Sequence, residues 1–240
     1  MTTLARLTIA IILALLASSC MLDVNWGSGV SGNGVVVEES RPINEEFTAV
    51  TASEGLDVFV KQGPQFGIRV EADENVMELI GTDIRDGKLK VHAIKNIGRA
   101  TKNIYVTLPE ITALYASSGA DLLAQGSIET DKIRLDASSG ADLQVDLTAD
   151  EVEADCSSGA DIRISGRANL MYADASSGSG IKAQDMEVKV CHANASSGAD
   201  IRVLVSESLM ADASSGADIR YSGDARVESK KSASGSVHRY

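Results

Sequence analysis

The sequence predicts an all-β protein, a parallel single-stranded β-solenoid wound right-handed, with an elaborated N-terminal β region. Three observations carry this expectation. Ser-Ser-Gly occurs six times over residues 117–216, with glycines at Gly119, Gly140, Gly159, Gly178, Gly198 and Gly216, a period of 18–21 residues. Apolar residues alternate with polar ones on both sides of each glycine. The same residue types return to the same slots in every copy, so each side chain can stack on its own counterpart, which only parallel coils achieve. A meander of antiparallel hairpins turning at Ser-Ser-Gly would also show two strands per period, but it leaves that identity of slots unexplained.

The chain opens on an export signal. Arg6 is the only charge before the apolar run Leu7 to Leu16, which suits a signal-peptide core and is too short to span a bilayer. The run ends in Ala17-Ser18-Ser19-Cys20, small residues before a cysteine that resemble a bacterial lipobox, with Ala17 where Leu is usual. Residues 1–19 are therefore expected to be a lipoprotein signal peptide, and Cys20 the lipidated first residue of the mature chain. Ordinary secretion is the alternative. The partner expected from this segment is the membrane, through the lipid anchor. The expected location is the bacterial cell envelope, at the outer membrane or cell surface.

Composition narrows the partners further. The net charge is −12, and removal of the +1 of Arg6 with residues 1–19 makes it −13. Such a balance repels phosphate backbones, so no nucleic-acid partner is expected. Aromatics are only 4%, which argues against a large aromatic-lined sugar cleft.

Residues 20–46 read as a flexible tether, because Asn25-Trp26-Gly27-Ser28-Gly29 and Ser31-Gly32-Asn33-Gly34 are polar and glycine-rich. The domain is expected over 47–240, with an elaborated part over 47–115 and the repeats over 116–240. Leu56, Val58 and Val60 share one strand face, and Ile68 and Val70 repeat the pattern after a turn at Gln62-Gly63-Pro64. Asp73 is placed to N-cap a short turn carrying Val76, Leu79 and Ile80. Asp86-Gly87 signals a hairpin before Leu89 and Val91, and Ile104, Val106 and Leu108 form a strand stopped by Pro109. Thr51 to Asp57 is a faint extra copy of the repeat, so the elaborated part is expected to hold the first coils of the same stack.

Within the repeats, Leu122, Leu143, Ile162, Ile181, Ile201 and Ile219 form one inward column, and small Ala columns flank the corner. Glycine at the corner fits a backbone with positive φ or a close approach between coils. A damaged copy, Lys231 to Tyr240, puts Gly235 in register and is expected to cap the stack, with Glu228, Lys230 and His238 in its inward slots. Cys156 and Cys191 occupy apolar slots two repeats apart, too far for a disulfide, and read as small buried hydrophobes.

These features together carry a family resemblance. Gly-Leu-Asp-Val-Phe-Val-Lys-Gln-Gly (55–63), Asp-Gly-Lys-Leu-Lys-Val (86–91), Ile-Tyr-Val-Thr-Leu-Pro (104–109) and the Ser-Gly-Ala-Asp repeats, behind a lipoprotein signal, resemble the auto-transporter adhesin head domain, or GIN domain. The likeness covers Phe47 to Tyr240. It implies a β-solenoid in an exported bacterial protein and brings no catalytic residues with it.

The chemistry legible in the repeats is a pair of acidic ladders. Asp121, Asp142, Asp161, Asp200 and Asp218 should stack in one row, and Asp136, Asp155, Asp174 and Asp212 in another. Unit charges one strand spacing apart repel by roughly 0.9 kcal/mol even in bulk water. The chain supplies its own counter-charges two residues on, at Arg163, Lys182, Arg202, Arg220 and Arg239. A metal ion such as calcium between coils is the alternative, with Asp121 and Asp142 as the candidate ligands because Leu123 and Gln144 leave the basic slot empty there. The paired serines are expected to form a corner ladder through their hydroxyls, with a flat glycan-contacting array as the alternative. His92, His192 and His238 fit no catalytic or metal-ligand spacing. No cofactor and no catalytic residue is expected. The reading is a non-catalytic adhesive or ligand-binding protein whose ligand is a glycan or a surface protein. A calcium-stabilised structural envelope protein and a polysaccharide-active β-helix enzyme are the alternatives.

Overall fold

The computed structural model describes residues 29–231 and 234–240, and in it sixteen strands make one continuous sheet wound into a β-solenoid of about 7 turns. In chain order these begin with β1 (Val36–Ser40), β2 (Ala49–Ala52), β3 (Asp57–Gln62) and β4 (Gly67–Asp73). A 3-10 turn, Glu74–Leu79, leads to β5 (Ile80–Arg85), β6 (Lys88–Ala93) and β7 (Lys102–Leu108). β8 (Ala113–Ala116) then enters the regular coils β9 (Asp121–Ala137), β10 (Asp142–Cys156), β11 (Asp161–Ala175), β12 (Gly180–Ala195) and β13 (Asp200–Ala213). The stack ends with β14 (Asp218–Ser222), β15 (Arg226–Lys231) and β16 (Ser236–Arg239).

The regular coils pair in parallel in the register the repeats require. Asp121, Asp142 and Asp161 lie opposite one another, as do Leu122, Leu143, Ile162, Ile181, Ile201 and Ile219. Those apolar side chains are buried, and so is the small column Ala116, Ala137, Cys156, Ala175, Ala195 and Ala213. Small residues are needed there because the chain turns immediately afterwards. Inside β10 the inward residues run Leu143, Val145, Leu147 and Ala149, then Val152, Ala154 and Cys156, so the alternation changes phase at Asp150–Glu151. That phase change marks a second bend in the coil that the Ser-Ser-Gly pattern alone does not announce.

Each corner is a tight turn with two left-handed residues. Ser118 and Gly119 have φ of 53° and 71°, and Ala120 N–H closes the turn on Ser117 O at 3.2 Å. The corners then hydrogen-bond along the stack by backbone alone: Gly119 N–H donates to Ser139 O, Gly140 to Ser158 and Gly159 to Ser177, all within 3.2 Å. Glycine meets the positive φ at no steric cost, whereas the serine before it carries a Cβ in the same region.

The elaborated part belongs to the stack, but not in chain order. β2 and β3 form a coil whose corner has Glu54 and Gly55 at φ 62° and 67°. β3 lies between β7 and β9, and β2 between β6 and β8, all parallel. The chain therefore makes its second coil in space first, returns through β6 and β7 to make the outermost one, and then passes over to β8. Antiparallel strands close that end, β4 and β1 beyond β7 and β5 beyond β6. The hairpin at Asp86-Gly87, with φ 52° and 70°, is the one the sequence signals.

Three sequence expectations need correction. The tether over 20–46 does not reach its described end: Val30 bridges to Ile97, and β1 lies on β4 with Val36 opposite Asp73. Asp73 holds this segment, since its buried carboxylate accepts the N–H groups of Gly34 and Thr101. A Cβ on Gly32 would sit 2.5 Å from that carboxylate, so the glycine that suggests a linker permits a close approach. Asp73 precedes the 3-10 turn without capping it by its side chain. In the last coil, Val227, Ser229 and Val237 take the inward register, and Glu228, Lys230 and His238 take outward slots. Pairing to β13 and β14 runs at an offset of 18 residues, as in Leu209 to Val227 and Asp218 to Ser236, one residue less than the alignment of Gly235 on Gly216 implies.

Candidate functional site

The outer face that follows each corner carries the predicted acidic row with a basic row beside it. Arg163 reaches back one coil to Asp142 at 2.7 Å and lies 3.6 Å from Asp161, while Lys182 lies 3.0 Å from Asp161. Arg202 and Arg220 pair within their own coils, to Asp200 at 3.4 Å and Asp218 at 2.7 Å. The basic column below Arg220 continues in His238, not Arg239: Arg239 stands beside Tyr221 and pairs with Asp224. Burial raises the Asp218 pKa, but hydrogen bonds from Ser236 and Arg220 outweigh it and leave the value lowered.

The candidate metal ligands part company here. Asp142 is held by Arg163. Asp121 is exposed and lies against Asp57 of the coil before it, so the acidic row starts one step earlier than the repeats reveal. Among the described residues, no three His, Cys, Asp or Glu side chains are grouped to hold a metal ion. Upstream, the basic column becomes aromatic: Phe59 stacks on Tyr105 at 5.1 Å, and the Arg69 guanidinium lies 4.1 Å from the centre of the Tyr105 ring.

The face that precedes each corner is different. Its first coils hold a charged cluster in which Lys132 contacts Glu151 and Glu153, and Arg134 contacts Glu153 and, at 2.6 Å, Asp155. Hydrogen bonding from Lys132 draws the Glu153 pKa down, whereas burial pushes Asp155 up. In the next coils the same outward column becomes Tyr172, His192 and Met210, with the Tyr172 and His192 rings stacked at 5.1 Å. Leu170 and Val190, half-buried, flank it on one side. On the other runs the second acidic row, in which Asn194 donates its amide to Asp174 at 2.9 Å. That row and the first serine of each corner, among them Ser176, Ser196 and Ser214, line a shallow groove of about 500 Å³. A wider one of about 760 Å³ follows the second bend, past Asp131, Asp150, Arg167 and Lys189.

Sequence reasoning missed the Tyr172–His192–Met210 column, although its signal was present: each residue stands two before the first Asp or Asn of a repeat, alternating with an inward Ala. It also misjudged the serine hydroxyls. The corner ladder is built from backbone groups. At the corners Ser53 donates its hydroxyl to Val91 O and Ser179 to Cys156 O, and away from them Ser165, Ser206 and Ser236 donate to Asp146, Val188 O and Asp218. Cys156 and Cys191 are free and buried, and burial pushes their thiols up to about 11 and about 12. His92 pairs with Asp83 at 2.8 Å and His238 with Asp218 at 3.2 Å. Cys20 lies outside the described residues.

The sequence matches the family described as "Putative auto-transporter adhesin, head GIN domain" over residues 46–225. No curated protein matches it. Among solved structures, a putative adhesin from Bacteroides fragilis superposes with a TM-score of 0.75 at 16% identity, covering 88% of this chain and 100% of that one. A putative lipid binding protein from Parabacteroides distasonis gives 0.71 at 18%, with 88% and 99% covered. A putative adhesin from Parabacteroides merdae gives 0.68 at 19%, with 88% and 98% covered. At such identities the likeness is one of fold.

Proposed function

The chain belongs to the family "Putative auto-transporter adhesin, head GIN domain", and from that premise we propose that it is an exported bacterial cell-envelope lipoprotein, anchored through Cys20, whose solenoid adheres or binds a ligand without catalysis. One observation carries the binding part of this reading. The coils repeat outward side chains in register, so a lateral face offers evenly spaced contacts along its length, and on one such face the charged column gives way to Tyr172, His192 and Met210 beside a polar groove. Extended ligands, a glycan chain or a strand of a surface protein, suit an array of this kind better than a compact substrate does. The interior is filled by Ile, Leu, Val and Ala side chains, so a ligand is met on the outside of the coils.

The experiment is a screen of the lipidated protein against glycan arrays and surface proteins, run beside Tyr172→Ala and Met210→Ala. Binding that weakens at least about tenfold in either variant, roughly the loss of one good contact, supports the reading. Cleavage of a polysaccharide by the wild type would remove the non-catalytic part. The anchor is tested separately: Cys20→Ala should release the protein from the membrane fraction, and a wild type that incorporates no fatty acid defeats the lipoprotein reading.

A further inference from the structure

The end of the stack where the chain enters carries more exposed large hydrophobic side chains than the later coils do, among the described residues. Of the seven large hydrophobic side chains exposed among the described residues, four lie there: Val30, Val35, Val36 and Ile94, at 40%, 53%, 47% and 58% exposure. Singly exposed apolar residues are ordinary, whereas a contiguous group signals an interface. The backbone segments that carry these four are joined to one another. Segment 30–36 is stitched to loop 94–101 by the N–H groups of Val30, Gly98 and Gly32, which donate to Asn96, Val30 and Arg99 carbonyls. On its other side Glu74 N–H donates to Val35 O, and Ile94 N–H donates to Leu79 O to close the ring. The result is one end face, with Lys95 and Arg99 exposed on the same loop and Glu74 and Glu78 exposed on the 3-10 turn.

The chain enters this face at Gly29, nine residues after Cys20. Nine residues span at most about 32 Å, so an acyl chain on Cys20 would hold this face near the bilayer. The distal coil, Ser236–Arg239, lies at the opposite end of the strand order. We infer that the end face formed by segment 30–36 and loop 94–101 rests on the lipid bilayer, with Val30, Val35, Val36 and Ile94 in the headgroup region and Lys95 and Arg99 toward the lipid phosphates. Aliphatic side chains flanked by Lys and Arg are what an interfacial surface uses. The two glutamates offset the two cations, so the anchor supplies the affinity and the face sets the orientation. The inference rests on the lipid-anchor reading proposed above.

The test uses the lipidated full chain in vesicles of phosphatidylethanolamine and phosphatidylglycerol, with an environment-sensitive fluorophore attached through Ile94→Cys or, separately, Met210→Cys. Cys156 and Cys191 are buried and react slowly. Position 94 should shift to the blue and lose roughly half its emission to spin-labelled lipid, as insertion into the headgroup layer implies, while position 210 stays unchanged. Equal behaviour at the two positions in a protein that floats with vesicles overturns the orientation and leaves the anchor standing. A blue shift at 94 without lipid quenching means a second copy covers the face, which also overturns it. A protein that does not float with vesicles removes both the anchor and this inference.

Discussion

Asp57 lies directly opposite Asp121, its neighbour in the next coil of the stack. Burial, and after it the charge of Asp121, raise the Asp57 pKa, with Lys102 acting in the opposite sense. This is the stretch of the acidic row where Leu123 and Gln144 occupy the basic column. There the charge of Lys102 partly offsets the repulsion that arginine and lysine relieve in later coils.

The sign of the resulting pH dependence follows from linkage. A carboxyl whose folded pKa is raised binds its proton more tightly in the folded state, so its contribution is most favourable at low pH and is lost as pH rises through the raised value. Asp57→Asn should therefore raise the melting temperature at pH 7 by about 1–3 °C, a modest figure because the site is partly solvated. Melts of both proteins from pH 4 to 7.5 should converge toward the acid end. A variant less stable than wild type at pH 7 would contradict the pairing.

Ile201 and Arg202 are adjacent in sequence and opposite in environment: Ile201 is fully buried in the apolar column, and Arg202 points outward to Asp200. Ile201→Asp should lose about 3–5 kcal/mol or fail to fold, because it buries an unpaired charge. Arg202→Ala should lose less than about 1 kcal/mol. Urea unfolding of the two variants reads the difference, and equal losses would mean that the register is wrong.

Ser158 is exposed and held at φ 54°. Ser158→Asn should stabilise the protein by about 0.5–1 kcal/mol, since asparagine tolerates the left-handed region better than other residues with a Cβ. The same change at corners two coils apart, such as Ser118 and Ser158, should add up, because two strand spacings of about 9–10 Å separate them. Adjacent corners hydrogen-bond and should couple. A loss of stability in the single variant would point to an unrecognised role for the serine hydroxyl.

With Asp142, Asp161, Asp200 and Asp218 of the first acidic row paired to the chain's own cations, melts in calcium and in chelator should agree within about a degree or two, since a site saturated far above its dissociation constant would add several kcal/mol. A larger shift that vanishes in Asp121→Asn plus Asp142→Asn would promote the calcium-stabilised alternative.

The repeats were legible because identical side chains at identical slots leave one register in which Ile meets Ile and Ala meets Ala. The region before them was legible only strand by strand. Nothing in residues 47–115 states that β2 and β3 lie between β6–β7 and β8–β9, because strand alternation records which face is buried and not which neighbour buries it. β1 was lost behind Gly32 and Gly34, whose role depends on the distant carboxylate of Asp73. The last coil slipped by one residue because its repeat is degenerate and its register is set by pairing to β13 and β14. On the outer faces, the acidic row was visible as a repeated letter, whereas Tyr172, His192 and Met210 share a position and no letter.

Since each regular coil bonds only to the coils before and after it, the rows of backbone hydrogen bonds point along the stack. Tension between its two ends would load those rows in series. The distal coil, β15 and β16, has one paired edge and would part first, and the next would follow once it had gone. Each coil of 18–21 residues would release about 60–75 Å of chain at full extension. A body held at Gly29 and tugged at Tyr240 would thus lengthen in discrete steps, dissipating a pull that a single rigid contact would transmit whole.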